Sequence, residues 1–267
     1  MAAPLDELAF VARSEHRVGT LEALLDGPRD RNALREATGA SSPTVGRVVA
    51  DLEQRRWVVR EGRTYGLTEL GTFVADEFGR LQRAMETVAR LRDVEPYLPS
   101  EMPGFAVDLF EDAVVAVPGP GYPYEPVERV TELIEGADSM RGFGTTVLKS
   151  SNLEAACDAI LDGLPFEFVY SPTVLETVVS WNPERVLEAA GCDNCTTYVH
   201  EALPDRESCG LGLYDDRVGL CCHDAETGLL RASIDTGSSA AHDWAETTYE
   251  RYRREARLVE ADELRSR

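Results

Sequence analysis

All six cysteines of this 267-residue chain lie between positions 157 and 222, and five of them stand close together. Cys192-Asp193-Asn194-Cys195 is a C-x-x-C, and Cys209, Cys221, Cys222 and His223 follow within 28 residues. In a cytosolic protein such grouping points to metal or thiol chemistry rather than to structural disulfides. Thiolates with one imidazole suit tetrahedral zinc, and C-x-x-C suits reversible oxidation. Two arguments run the other way. Neighbouring residues on a strand face opposite sides, so Cys221 and Cys222 do not readily serve one centre. Strand thiols at 209, 221 and 222 also read as small buried hydrophobes. The chemistry therefore requires no cofactor, and zinc binding or thiol redox is held as the alternative.

A second set of residues is suited to binding rather than catalysis. Val45, Val48, Val49 and Leu52 repeat at i, i+3, i+4, i+7 and must face a core. Ser42 is placed to cap this helix with Pro43 in its first turn. The buried stripe turns Ser41, Ser42, Thr44 and Arg47 outward at the N-terminal end, where the second helix of a helix-turn-helix meets base edges. Small hydroxyl residues let a helix sit deep in the major groove, and arginine reaches guanine or phosphate.

The surrounding elements position that helix. Apolar spacing predicts helices over 5–13 and 16–25, a stop at Gly27-Pro28, and a short helix over 30–38 with Ala33, Leu34 and Ala37 inward. Gly39 supplies the sharp turn. After the recognition helix come a strand at 57–60, a turn at Glu61-Gly62-Arg63 and a strand through Tyr65 and Leu67. This two-stranded wing carries Arg60 and Arg63 near its tip, with Arg55 close by, and suits a phosphate backbone.

Composition puts a question to this reading, because the formal net charge is −21 and DNA is a polyanion. The charge is unevenly placed. Residues 1–95 hold 14 arginines and 16 carboxylates, whereas the remaining 172 residues hold 13 basic and 32 acidic groups. Within 41–63, five arginines meet three acids. The segment that would touch phosphate is spared the acidity. Of the 27 basic residues only Lys149 is lysine, and acidic excess with so little lysine is expected of a halophilic cytoplasm, where salt screens self-repulsion. No apolar run approaches a membrane span, and "MAAPLDELAF" lacks the features of a signal peptide, which predicts a soluble, cytoplasmic protein with no membrane partner.

The stretch "ALREATGASSPTVGRVVADLEQRRWVVREGRTYGLTELG" resembles the winged-helix regulators of archaea in the broad ArsR-like and TrmB-like group. That resemblance implies a winged helix-turn-helix over residues 1–68 and double-stranded DNA as partner. Over 69–95, Val74, Phe78, Leu81, Met85 and Val88 form a heptad seam broadened by Leu70, Phe73 and Leu91. Such a helix either makes a homodimer, the reading favoured here because operators pair two half-sites, or docks on its own domain.

From 105 to 267 strand-like and helix-like stretches alternate. Strands are predicted at 113–117, 140–148, 166–170, 196–200, 210–214, 217–222 and 229–234, with a closing helix over 239–258. The class is α/β (α+β overall), with an antiparallel edge on a mixed sheet. "VTELIEGADSMRGFGTTV", "FEFVYSPTVLETVV", "GLGLYDDRVGLCCHD" and "AHDWAETTYERYRREA" resemble the regulatory domain of archaeal proteins related to the methanogenesis filament regulator. That resemblance implies a ligand-sensing or partner-binding module with a phospholipase D-like fold. Phospholipase D chemistry needs His-x-Lys, but Val147 stands two residues before the one lysine. An enzyme of phosphodiester chemistry is thus the weakest of the three readings. Tyr122, Tyr124, Arg141, Phe143 and Ser171, in loops or at strand ends, are candidates for lining a small-molecule effector pocket.

Overall fold

The structure is a computed structural model and describes residues 3–203, 209–224 and 226–264. The chain divides into two compact units, Met1–Met85 and Glu86–Arg267.

In the first unit helices α1 (Pro4–Ala12), α2 (Glu15–Leu25), α3 (Arg31–Thr38) and α4 (Ser42–Gln54) are followed by strands β2 (Val58–Glu61) and β3 (Thr64–Leu67). Each helix start has a local cause. Ser14 accepts from the Arg17 amide, Asp30 from those of Asn32 and Ala33, and Ser41 from that of Thr44. The cap of α4 is thus Ser41, one residue earlier than expected; Ser42 already lies within the helix, with Pro43 in its first turn. Gly39 sits at φ 64°, the left-handed conformation that ends α3 without a Cβ penalty. The predicted stripe Val45, Val48, Val49 and Leu52 is buried, packed with Leu21, Leu24 and Leu34. On α3 only Leu34 is fully buried; Ala37 is exposed.

The wing has three strands, not two. β1 (Arg29–Asp30) pairs antiparallel with β3 through Arg29↔Tyr65 and Asp30↔Thr64. Two residues carry no readable period, so this strand is defined only by its partner.

Helix α5 (Glu69–Leu91) holds the predicted seam, but its residues divide. Val74 and Phe78 pack against the core of the first unit, whereas Leu70, Phe73, Leu81, Met85 and Val88 are exposed. At 100° per residue these five fall within about 120° of the helix circumference, one apolar stripe.

The second unit is a layered α/β domain. Its eight-stranded sheet runs β11-β7-β6-β5-β8-β9-β10-β4 and comprises β4 (Val114–Ala116), β5 (Met140–Gly144), β6 (Phe166–Tyr170), β7 (Cys195–Val199), β8 (Cys209–Tyr214), β9 (Arg217–His223), β10 (Leu230–Thr236) and β11 (Arg257–Val259). Strands β5, β6 and β7 are parallel, and the other pairings are antiparallel. On one face lie α6 (Glu125–Glu135), α7 (Ser150–Leu161), α8 (Pro172–Trp181) and α9 (Pro183–Ala190), over a core that includes Met140, Leu153, Phe168 and Val178. On the other face lies α10 (Ser239–Glu255), with Trp244 and Tyr249 packed against Phe110, Phe143 and Leu211. A short α11 (Ala261–Leu264) closes the described chain.

Two boundaries differ from expectation. The strand expected over 140–148 stops at Gly144, and the closing helix stops at Glu255 because residues 257–259 add edge strand β11 beside β7. Alternation sends β5 residues 140, 142 and 144 to the α7 side and 141 and 143 to the α10 side.

Candidate nucleic-acid interface and ligand cleft

The N-terminal end of α4 is the exposed end of a buried helix. Ser41, Ser42 and Arg47 are exposed and Thr44 is half-buried, on the side opposite the Val45/Val48/Val49/Leu52 stripe. The hydroxyls of Ser41 and Thr44 are 2.8 Å apart, so the pair is held in place by its own hydrogen bond. Arg47 makes no ion pair among the described residues. In the wing, Gly62 at φ 63° makes the turn, Arg63 is exposed, and Arg60 donates to the Gly62 carbonyl at 3.1 Å while lying 5.8 Å from the Tyr65 ring.

Arg55 is placed differently. It donates to Glu7 at 2.9 Å and lies 3.4 Å over the Phe10 ring, so it ties α4 to α1 inside the domain. A residue that local sequence did not bring forward is Arg31. Its guanidinium donates to the Ser42 carbonyl at 3.0 Å and crosses α4 at Gly46, where a Cβ would come within 1.8 Å of it. A side chain at Gly46 would push the flexible end of Arg31 out of this α3–α4 contact.

The cysteines do not gather. Cys192 ends α9 and its thiol faces the Glu188 carbonyl at 3.6 Å, while Cys195 starts β7 and faces the core that holds Cys157. Cys209 and Cys222 stand opposite each other on β8 and β9 with sulfurs 2.9 Å apart, on the α10 side. Cys221 and His223 lie on the other face of the same strand. The expected six-residue group is thus split into three places, two of them separated by the sheet itself. Among the described residues no three His, Cys, Asp or Glu side chains are arranged to hold a metal. Burial pushes the Cys195 thiol up to about 11 and Cys221 up to about 12, the opposite of what thiolate chemistry needs.

The five effector candidates also separate. Tyr122 and Tyr124 are exposed in the loop before α6, and the Tyr122 hydroxyl meets Glu128. Arg141 faces α10 and is bound by both Glu246 oxygens at 2.8 and 2.7 Å. Ser171 is buried as the cap of α8, accepting from the Val174 amide at 3.2 Å. Of the five, Phe143 borders a cleft that runs along β5 to its carboxyl end and is lined also by Met140, Gly144, Phe168, Tyr170, Gly210 and His223.

Residues 5–90 match the HVO_A0261 N-terminal domain, and residues 123–255 match the middle domain of the methanogenesis regulatory protein FilR1. The chain thus carries a segment similar to each of these two family domains, in this order. No curated protein matches it. Among solved structures, the archaeal chromatin protein TrmBL2 is 14% identical over 95% of this chain and 99% of its own, with a TM-score of 0.41. The phospholipase D family member Nuc from Salmonella typhimurium is 14% identical over 56% of this chain and 98% of its own, at 0.43. NucT from Helicobacter pylori is 11% identical over 55% and 99%, at 0.42.

The FilR1-type domain holds two further polar clusters. Asp235 is fully buried and receives Arg129 at 2.7 and 2.8 Å as well as Arg217. Burial alone would raise this carboxyl, but the hydrogen bonds from Arg129 and Arg217 hold it below its ordinary value. Across the sheet, Glu167 receives Tyr249 and Arg253 from α10, and Arg253 also meets the Tyr198 hydroxyl. Together with Arg141–Glu246 these bonds fasten α10 across β5, β6 and β7. Both clusters have structural work to do, and neither leaves a group free for chemistry.

Proposed function

We propose that this protein is a homodimeric, sequence-specific DNA-binding transcriptional regulator, acting in the cytoplasm, whose FilR1-type domain senses a small molecule. The observation that carries the reading is the exposed N-terminal end of α4. Ser41, Ser42, Thr44 and Arg47 project there from a helix whose opposite face is fully buried, with the Arg60/Arg63 wing folded from the same unit. The family's description as a regulatory protein supports the same class. A dimer is supported by the exposed stripe Leu70, Phe73, Leu81, Met85 and Val88 on α5, because a contiguous apolar stripe on a helix favours a partner surface.

The redox- or metal-responsive alternative gains no support from the split cysteines. Phosphodiester chemistry has no His-x-Lys pair to carry it. Mapping the genomic DNA bound in cells tests the DNA reading, which predicts discrete sites with a two-fold repeat. Scattered, sequence-independent occupancy would contradict it. Replacing Leu81 and Met85 by Glu puts carboxylates in the stripe, where burial without a partner is costly. Light scattering is expected to show half the mass of the wild type; an unchanged mass would remove α5 from the interface.

A further inference from the structure

The sheet of the FilR1-type domain has five glycines on one face of three adjacent strands: Gly142 and Gly144 on β5, Gly210 and Gly212 on β8, Gly219 on β9. Internal packing bears on all five. A Cβ at Gly142 would meet the Phe168 ring at 2.9 Å, and Cβ atoms at Gly212 and Gly219 would meet the Tyr214 ring at 2.6 and 2.9 Å. At Gly144 a Cβ would stand 3.2 Å from the Phe168 ring, and at Gly210 it would stand 3.2 Å from the Phe143 carbonyl. The absence of side chains at Gly144, Gly210 and Gly212 leaves the floor of a cleft.

The walls above this floor are largely apolar, with Thr146, Tyr170, Tyr214 and His223 as their polar side chains. His223, at the end of β9, is only 4% exposed and lines the cleft, and its Nδ1 atom has no hydrogen-bond partner among the described residues. A buried nitrogen left without a partner costs about 1–3 kcal/mol unless something supplies one. The cleft is narrow, with a cavity volume of about 30 Å³, which admits only the tip of a molecule seated there. In open α/β sheets, ligands bind outside the carboxyl ends of the strands, which is where this cleft opens.

We infer that this cleft is an effector site for a small, uncharged, largely apolar molecule bearing a hydroxyl, seated on Gly144 and Gly210 with its hydroxyl paired to His223 Nδ1. A hydroxyl serves either tautomer of a neutral imidazole, as donor or as acceptor. Burial pushes the His223 imidazole down to about 4, so it is uncharged at neutral pH and offers no cation to an anionic ligand. This inference rests on the ligand-sensing reading given above, and it names the site and the chemical class.

The test uses the full chain and three probes of one shape: p-cresol, toluene and p-toluate. Calorimetric titration of wild type is expected to give p-cresol roughly tenfold tighter binding than toluene, the worth of one neutral hydrogen bond. No binding is expected for p-toluate. His223→Leu is expected to abolish the advantage of p-cresol while toluene still binds. His223→Gln, which keeps a donor and an acceptor, is expected to restore part of it. Equal affinities for p-cresol and toluene in wild type would overturn the inference, as would an advantage that survives in His223→Leu or tightest binding by p-toluate. The regulator reading fails separately. If wild type binds no DNA site but these titrations behave as described, the cleft stands and regulation falls. If DNA binding in cells responds to the cell's own effector equally in wild type and His223→Leu, sensing stands and this cleft falls.

Discussion

Arginine does two different jobs in the two units. In the FilR1-type domain, Arg129, Arg141, Arg185, Arg217, Arg231, Arg253 and Arg257 each meet a carboxylate, and several tie a helix to the sheet. In the winged-helix unit the arginines divide by location. Arg17 and Arg55, on the far side, pair with Asp51 and Glu7. Arg47, Arg60 and Arg63, at the recognition helix and the wing, make no ion pair among the described residues. A net charge of −21 is therefore no guide to the charge at α4 and the wing, the surface proposed to face DNA. At these three positions the guanidinium has no anion of its own among the described residues.

The largest effect expected from breaking this contrast lies in the acidic unit. Asp235→Asn removes the anion that binds Arg129 and Arg217. Leaving charges uncompensated near a buried position costs about 3–5 kcal/mol, and the lower end applies because both arginines keep some exposure to water. Calorimetry is expected to show the melting transition of the FilR1-type domain falling sharply while that of the winged helix stays put. In wild type the contribution of Asp235 is full above the ordinary aspartate range and is lost as pH falls through its depressed value.

An effect of similar size, of opposite chemical origin, comes from His223. Its folded value of about 4 lies below the ordinary 6.5, so between these values the unfolded chain binds the extra proton. Stability is full above pH 6.5 and declines as pH falls towards 4, by roughly 3 kcal/mol at about 1.4 kcal/mol per unit. Denaturant titrations across this range are expected to show the decline in wild type and its absence in His223→Leu. Identical pH profiles would mean that the imidazole is solvated in the folded state.

These two residues also mark where sequence reading stops. Helix α4 was legible because its evidence is local: four apolar residues at helical spacing, a hydroxyl cap and a proline. Even its error was local, since Ser41 and Ser42 are adjacent and chemically alike. Strands β1 and β11 were not legible, because two or three residues have no period and exist only through pairing with β3 and β7. The glycine floor was visible as "RGFGTT" and "GLGLY", but its meaning depends on β5 and β8 being neighbours, a fact of sheet order. His223 was singled out for its closeness in sequence to cysteines, of which the sheet placed Cys209 and Cys222 on its other face. Arg31 and Gly46 needed the packing of α3 on α4 to acquire a role.

The smallest effects belong to the wing, and they sharpen the account most. Fluorescence anisotropy at matched salt, on a bound genomic site and on a shuffled sequence, compares wild type with Arg47→Ala and with Arg60→Ala/Arg63→Ala. Arg47→Ala is expected to cost about 1–3 kcal/mol on the genomic site and far less on the shuffled one, as removal of a base-reading side chain does. The wing variant is expected to weaken both sequences alike and to lower the salt slope by about one unit for each phosphate left without its arginine. If Arg47→Ala binds the genomic site as wild type does, α4 is not the element that reads the sequence, and the central claim fails.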